Sequence, residues 1–152
     1  MSLHEQITAD LSAAMKARDK ARTSALRMLV SALKNQAIAD GHGAQGTLDD
    51  AEVERILASE VKRRREAAAA YRDADRTEQA EAEEAEAAVY EAYLPEQLTD
   101  EELAGLVDEA IAEVGASDVT QMGQVMKTVM SRVQGRAEGS RVSALVKQRL
   151  GG

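Results

Sequence analysis

The sequence contains no cysteine, no phenylalanine and no tryptophan, and Pro95 is its only proline. Without cysteine the chain has neither disulfides nor a thiol nucleophile, which suits a reducing compartment such as the cytoplasm. Because Tyr71, Tyr90 and Tyr93 are its only aromatic residues, the core must be built from aliphatic side chains, most of which favour helices. Stretches rich in β-branched residues and bounded by turn residues are also missing. We therefore predict an all-α protein.

Long hydrophobic runs are absent as well. No window approaches about 18 apolar residues, and the first residues lack a basic segment followed by an apolar run. We therefore expect no membrane span, no signal peptide and a cytoplasmic location. The two histidines, His4 and His42, lie far apart and lack metal-ligand spacing, so we predict no metal site and expect both at the surface.

The usual catalytic motifs are missing too. The segments Gly43 to Thr47 and Gly135 to Ser140 lack the lysine of a phosphate-binding loop, and no Gly-x-Ser-x-Gly elbow is present. The sequence thus offers neither an activated nucleophile nor a phosphate-binding loop. We therefore predict that the chain alone is not an enzyme and needs no cofactor.

Pro95 predicts the main boundary of the chain. Proline has no N–H and keeps the preceding residue out of the helical region, so a helix must end before it. Thr99 and Glu102 form a capping-box pattern, and Leu98 and Leu103 stand at the positions of a hydrophobic staple. We predict a helical N-terminal domain of helical hairpins over residues 1–94 and a small three-helix domain over residues 95–152.

Apolar residues at helical spacing predict the inward faces on the N-terminal side. Two helices forming an antiparallel hairpin carry Leu3, Ile7, Leu11 and Met15, then Leu26, Leu29, Val30, Leu33, Ala37 and Ile38. A mobile loop over residues 41–46 precedes a long helix, which Asp49 and Glu52 begin and which runs to about Arg72. The acidic stretch 78–86 fits either a disordered linker or a helix, and its alanine and glutamate content favours the helix.

Beyond Pro95, similar patterns predict three helices. Gly115 is expected to end the first, Asp118 with Gln121 to begin the second, and Gly123 to permit a close helix crossing. The inward faces are predicted to carry Leu103, Leu106, Val107, Ala110, Ile111 and Val114, then Met122, Val125, Met126, Val129, Met130 and Val133, then Val142, Leu145, Val146 and Leu150.

Charge is distributed unevenly along the chain, whose net charge is −8. From Val119 onward there are six basic residues against the single acid Glu138, a local charge of +5. Such a basic end suits an acidic partner or a solubilising surface. The run Lys62 to Arg65 fans around a whole helical turn, and Glu60 and Glu66 lie close to it, so we predict an ion-paired surface there.

Several motifs together resemble one family. They are Met15 to Lys20 with Leu26 to Asn35, Lys62 to Ala67 with Tyr71, the tract around Glu84, Tyr93 to Leu98, Met122 to Met126, and Gly135 to Gly139 with Val142, Val146, Lys147 and Leu150. In order and spacing the chain resembles the YqeY proteins. The family's turn usually has aspartate and a basic residue where Glu138 and Ser140 stand, which puts a ligand contact at Ser140 in question.

The resemblance implies a function as well as a fold. The YqeY module is similar to the tail of the B subunit of the glutamine-dependent aminoacyl-tRNA amidotransferase (GatB), where the tail helps to hold tRNA. It implies a non-catalytic tRNA-binding or tRNA-related accessory module. The alternatives are a protein-interaction adaptor using the acidic helix at residues 78–91 and a partner-dependent carbon–nitrogen ligase with glutamine as donor. The predicted RNA contacts are Lys127, Arg132, Arg136, Arg141 and Lys147.

The predicted domain boundary can be tested by limited proteolysis. Because backbone outside packed helices is the most accessible to proteases, cuts should concentrate within residues 94–99 or 41–47. Mapping the fragments by mass spectrometry locates the cuts. Protection of both segments, with cleavage inside residues 119–150 instead, would contradict the two-domain prediction.

Overall fold

The computed structural model describes residues 1–151, and this range contains seven α-helices, one 3₁₀ turn and no β-strand. The prediction of an all-α protein is confirmed. The helices are α1 (Leu3–Lys16), α2 (Lys20–Ala39), α3 (Asp50–Asp73), α4 (Thr77–Glu91), α5 (Asp100–Val114), α6 (Met122–Val133) and α7 (Gly139–Arg149), with the 3₁₀ turn Val119–Gln121 before α6. Contacts divide the chain between Leu94 and Pro95 into two compact units. That each unit folds as a separate domain stays a prediction.

The predicted helix starts are largely confirmed. Thr99 caps α5 and forms a capping box with Glu102, while Asp49 does the same for α3 with Glu52. Leu98 and Leu103 are both buried in the core of the second unit, where a hydrophobic staple would place them. Gly115 ends α5 with a φ of +73°, a conformation that glycine adopts without strain.

The first unit has one hydrophobic core, to which α1, α2, α3 and α4 contribute. Leu26, Leu29 and Leu33 of α2 lie in it, as predicted. Tyr90 of α4 is fully buried, and its hydroxyl donates a hydrogen bond of 2.7 Å to the carbonyl of Ala25. The hydroxyl therefore has a partner despite its burial, and the ring ties α4 to α2.

In the first unit, two residues predicted to face inward are exposed instead. Met15 is 51% exposed and Ile38 is 53% exposed, whereas the adjacent Ala14 and Ala37 are buried. Each of the two lies twelve positions after the first residue of its predicted face, which is Leu3 for Met15 and Leu26 for Ile38. At 3.6 residues per turn, twelve residues rotate about 120° beyond three full turns, whereas eleven rotate about 20°. The apolar face therefore drifts onto the alanines.

The acidic stretch forms α4, so the helix interpretation is confirmed. Ala80 and Ala87 are fully buried, and three of the six acidic residues of α4 pair with arginines of α3. Arg72 donates two hydrogen bonds to Glu84, at 2.7 and 2.8 Å, and Arg65 pairs with Glu91. The two arginines and the two glutamates are each spaced by seven residues. This heptad spacing matches two antiparallel helices joined by the turn at residues 74–76.

The second unit packs α5, α6 and α7 around its own core, as the three-helix pattern predicted. Val125, Val129 and Val133 are fully buried, while Met130 is exposed because one line of valines fills the α6 side of this small core. Gly123 permits no close crossing, since a Cβ there would meet no atom within 4 Å. Nothing in the structure explains that glycine.

The start of α6 also differs from its prediction. Asp118 caps the 3₁₀ turn rather than α6, accepting a hydrogen bond of 2.9 Å from the N–H of Thr120. Hydrogen bonding from Thr120 lowers the pKa of the Asp118 carboxyl. Gln121 gives α6 no side-chain cap and instead accepts a hydrogen bond of 2.8 Å from the N–H of Ser117. The extra turn absorbs the cap because α6 begins only at Met122.

His4 is buried, contrary to the expectation of a surface position. It is 6% exposed, and its Nδ1 accepts a hydrogen bond of 3.0 Å from the backbone N–H of Leu48. Leu48 is itself buried, so the histidine fastens the segment before α3 onto α1. Burial, assisted by the charge of Lys34 and opposed by that of Glu5, lowers the pKa of His4. The neutral imidazole is the form that accepts this bond.

This geometry predicts a pH dependence of stability. Because the pKa of His4 is lower in the folded chain, its contribution is present above about pH 6.5 and is lost as the pH falls through the folded value. The free energy of unfolding should therefore fall less between pH 7.5 and 5 in His4→Gln than in the wild type. At pH 7.5, His4→Ala should cost about 1–3 kcal/mol by leaving the Leu48 N–H unpaired.

The exposed His42 provides a matched control. Urea unfolding across the pH range should give His42→Gln the pH dependence of the wild type. Equal pH dependence in His4→Gln and the wild type would contradict a linkage through His4.

Candidate nucleic-acid interface

The five predicted RNA contacts lie on α6, on α7 and on the turn between them. Arg136 lies in the turn, and its neighbours Gln134 and Gly135 both have positive φ, which reverses the chain in a few residues. Arg141 lies in the first turn of α7 and Lys147 near its end. The second unit therefore presents these cations on helix surfaces and a tight turn rather than in a cleft.

Arg136 has a structural role as well as a charge. Its Nε donates a hydrogen bond of 2.8 Å to the carbonyl of Glu96, and its own carbonyl accepts one of 2.7 Å from the N–H of Leu98. Its guanidinium also lies 3.8 Å from the Glu102 carboxylate. Residues 96–98 are thereby fastened to the α6–α7 turn. A change at Arg136 thus affects the local fold together with the charge.

The arginines of this unit pair with acidic residues of α5. Arg141 lies 2.7 Å from the carboxylate of Asp100, and Arg132 pairs with Glu113. Arg149, outside the predicted set, lies 3.5 Å from Asp108. The local charge of +5 after Val119 is therefore opposed in space by a helix that precedes it in sequence.

The structure does not bring the predicted contacts Arg132, Arg136 and Arg141 together on one edge of the unit. Arg136 and Arg141 pair with Glu102 and Asp100 in the first turn of α5, whereas Arg132 pairs with Glu113 in its last turn. Eleven residues separate Glu102 from Glu113, which is about 16 Å along a helix. Of these three arginines, only Arg136 and Arg141 pair with residues at the same end of α5.

Two lysines and the start of one helix remain available to contact an anion. Lys127 and Lys147 are exposed and form no ion pair within residues 1–151. Helix α7 begins at Gly139, and Glu138 at its N-cap makes no side-chain capping bond. The N–H groups of its first turn lie beside Arg141, where an anionic oxygen would be favoured.

The run Lys62 to Arg65 is ion-paired, as predicted, both within α3 and across to α4. Arg64 lies 2.6 Å from Glu60 and 3.3 Å from Glu86, and its guanidinium carbon is 5.2 Å from the centre of the Tyr90 ring. The predicted partner Glu66 is replaced by residues of α4. Burial raises the pKa of Tyr90 to about 12. Burial also raises the pKa of Glu86, with the charge of Glu83 adding to the effect.

The remaining polar clusters of the first unit are structural. The Tyr93 hydroxyl donates a hydrogen bond of 2.5 Å to Asp10 and accepts one of 3.4 Å from Arg22, which joins the end of this unit to α1 and α2. Burial, together with the contact to Asp10, raises the pKa of Tyr93. Within residues 1–151, no group of three His, Cys, Asp or Glu side chains could hold a metal ion. No helix in that range is both long and apolar enough to cross a membrane.

A second cationic surface was missed by the sequence reasoning. Residues 11–39 carry six basic residues and the single acid Asp19, again a local charge of +5. Of these cations, five form no ion pair within the described chain: Lys16, Arg18, Lys20, Arg27 and Lys34. The same local charge count that drew attention to the C-terminal segment would have found this one.

The sequence matches one protein-family model. The model is described as Yqey-like protein, and the match covers residues 4–150 of the 152. No curated protein matches the chain. Since the match spans nearly the whole sequence, the chain belongs to the YqeY-like protein family.

Proposed function

We propose that this protein is a non-catalytic accessory module that binds tRNA through its second unit. The observation that carries the proposal is the set of arginines on α6, α7 and their turn, whose acidic partners are exposed. Asp100, for example, is 98% exposed beside Arg141. Arginines that are already ordered but only weakly engaged can exchange a carboxylate for a phosphate oxygen.

A phosphate contact gains more free energy at low salt than an exposed ion pair loses, which favours the exchange. An exposed ion pair contributes roughly 0–1 kcal/mol, and its strength falls as salt rises. Each phosphate contact, in contrast, releases counterions from the nucleic acid, and this supplies much of the driving force at low salt. Lys127 and Lys147 need no partner displaced, and the N–H groups at the start of α7 add donors next to Arg141.

Family membership and the resemblance to the amidotransferase B-subunit tail also support tRNA as the partner. Kinship alone does not transfer a function, so the interface residues carry the argument. The adaptor alternative gains less support, because Glu84, Glu86 and Glu91 of the acidic helix α4 pair with arginines of α3. A helix whose acids are engaged in this way has fewer charges left for a partner.

A double-mutant cycle measures how weakly one of these arginines is held. In Arg141→Ala, Asp100→Ala and the double variant, we expect a coupling free energy below about 1 kcal/mol. Urea unfolding at low salt gives the four values. A coupling above about 2 kcal/mol would indicate a structural ion pair and would argue against exchange with phosphate.

The affinity for tRNA provides the direct test. Because each phosphate contact on duplex nucleic acid contributes about 0.9 to the slope of log K against log salt, Arg136→Glu with Arg141→Glu should flatten that slope by about 1.8. Fluorescence anisotropy with labelled bulk tRNA across a salt series gives the slopes, and circular dichroism checks folding.

Two further variants separate charge from fold. Arg141→Glu with Lys147→Glu leaves the Arg136 contacts to residues 96–98 intact and should also weaken binding. Arg63→Glu, at an exposed arginine of α3, should leave both affinity and slope near the wild-type values. Unchanged binding in both C-terminal variants, or no tRNA binding by the wild type, would refute the proposal.

A further inference from the structure

We propose that the exposed face of α2, together with the end of α1, is a docking groove for an acidic amphipathic helix of a partner protein. This inference goes beyond the proposed tRNA binding and does not depend on it. The groove is defined here by the residues that line two adjoining depressions: Met15, Arg18, Lys20, Thr23, Ser24, Arg27, Met28, Ser31, Ala32 and Asn35.

The groove is long enough to accommodate a helix laid along α2. Its two depressions are shallow and open to solvent, and because they share Ser24 and Arg27 they form one continuous surface. From Lys20 to Asn35 the groove follows sixteen residues of α2, a span of about 22 Å. A partner helix of about fifteen residues has the same length, and a helix lying in a groove is a common mode of peptide recognition.

The groove contains apolar surface that the fold does not use. Met15 of α1 is 51% exposed and Met28 of α2 is 39% exposed, and the residues that α2 contributes to the core lie on its other face. The Met28 sulfur has one polar neighbour, the guanidinium of Arg64 at 3.9 Å. Methionine is flexible and polarizable, so it adapts to varied apolar side chains at binding surfaces. These two methionines favour an occupant that also has an apolar face.

The charge of the groove specifies the polar face of that occupant. Arg18, Lys20 and Arg27 lie along the groove, and none of them forms an ion pair within residues 1–151. In contrast, the arginines of α3, α6 and α7 described above all have acidic partners. A partner helix with carboxylates beside its apolar face would satisfy these cations, and charge complementarity would also speed its association.

The same composition disfavours RNA at this surface. RNA offers no aliphatic surface against which the two methionines could be buried, and the groove has no aromatic side chain on which a base could stack. Methionine and arginine are, in contrast, enriched at protein–protein interfaces. A protein helix is therefore the occupant that uses both components of the groove.

A designed probe tests the proposal. The probe is a fluorescein-labelled synthetic peptide of about sixteen residues with leucines along one helical face and glutamates beside them. One control peptide has the same composition with its leucines spread around the helix, and another has lysine in place of glutamate. Anisotropy titrations of the full chain should show binding of the probe at least about tenfold tighter than that of either control.

Groove variants locate the binding. Lys20→Glu with Arg27→Glu should weaken probe binding by at least about tenfold, and Met28→Ser should weaken it by several-fold. Glutamate at Lys20 suits the start of α2, so the double variant is expected to fold. Lys127→Glu with Lys147→Glu carries the same charge change in the second unit and should leave probe binding unchanged.

The outcomes also separate this inference from tRNA binding. Probe binding lost in the groove variants, with their tRNA affinity retained, supports the groove as a protein site. Three results would overturn the inference: no probe binding at millimolar peptide, equal binding of the composition control, or loss of tRNA affinity in the groove variants. The tRNA proposal depends instead on the Arg136 and Arg141 variants, so either idea can fail alone.

Discussion

Pairing of arginines with carboxylates on neighbouring helices recurs in both units, and in the first it sets the register of α3 against α4. In the first unit the arginines of α3 face the glutamates of α4, and in the second those of α6 and α7 face the acids of α5. Each exposed pair contributes little free energy. The apolar contribution of α4, however, consists of Ala80, Ala87, Tyr90 and the half-buried Val89, which is too little to define one register firmly. The heptad-spaced pairs distinguish the observed register from its neighbours.

Among these paired arginines, Arg64 has the largest unfavourable desolvation free energy, because it is the most buried. Its side chain is only 14% exposed, and removal of a charge from water is unfavourable without close compensation. Glu60 and Glu86 supply opposite charge, and the face of Tyr90 supplies a further attraction. The Nε of Arg64 nevertheless makes no hydrogen bond, because its contact with Glu86 is an ion pair without hydrogen-bond geometry. We infer that this cluster contributes more to the specificity of helix packing than to the free energy of folding.

Local rules predicted most of the fold, whereas contacts distant in sequence limited the rest. The Thr99 and Asp49 capping boxes and the glycine at position 115 were predictable because each depends on residues within a few positions. Met15 was placed wrongly by following a four-residue repeat for too long, and Ile38 by extending the face of α2 one position past Ala37; the helical angle corrects both errors. The burial of His4 depends on Leu48, forty-four residues away, and the sequence has no short-range signal for that contact. The partners of Arg132, Arg136 and Arg141 on α5 were unpredictable for the same reason.

Local charge in the sequence and available charge in the structure are therefore different quantities in this protein. Residues 11–39 and the segment after Val119 both have a local charge of +5. On α6 and α7 the arginines have acidic partners, so an anion must displace a carboxylate and gains most from a strong polyanion at low salt. On α1 and α2 the cations of the groove are already available, and apolar surface lies beside them. The first arrangement favours a phosphate backbone, whereas the second favours an acidic side chain that brings an apolar neighbour with it.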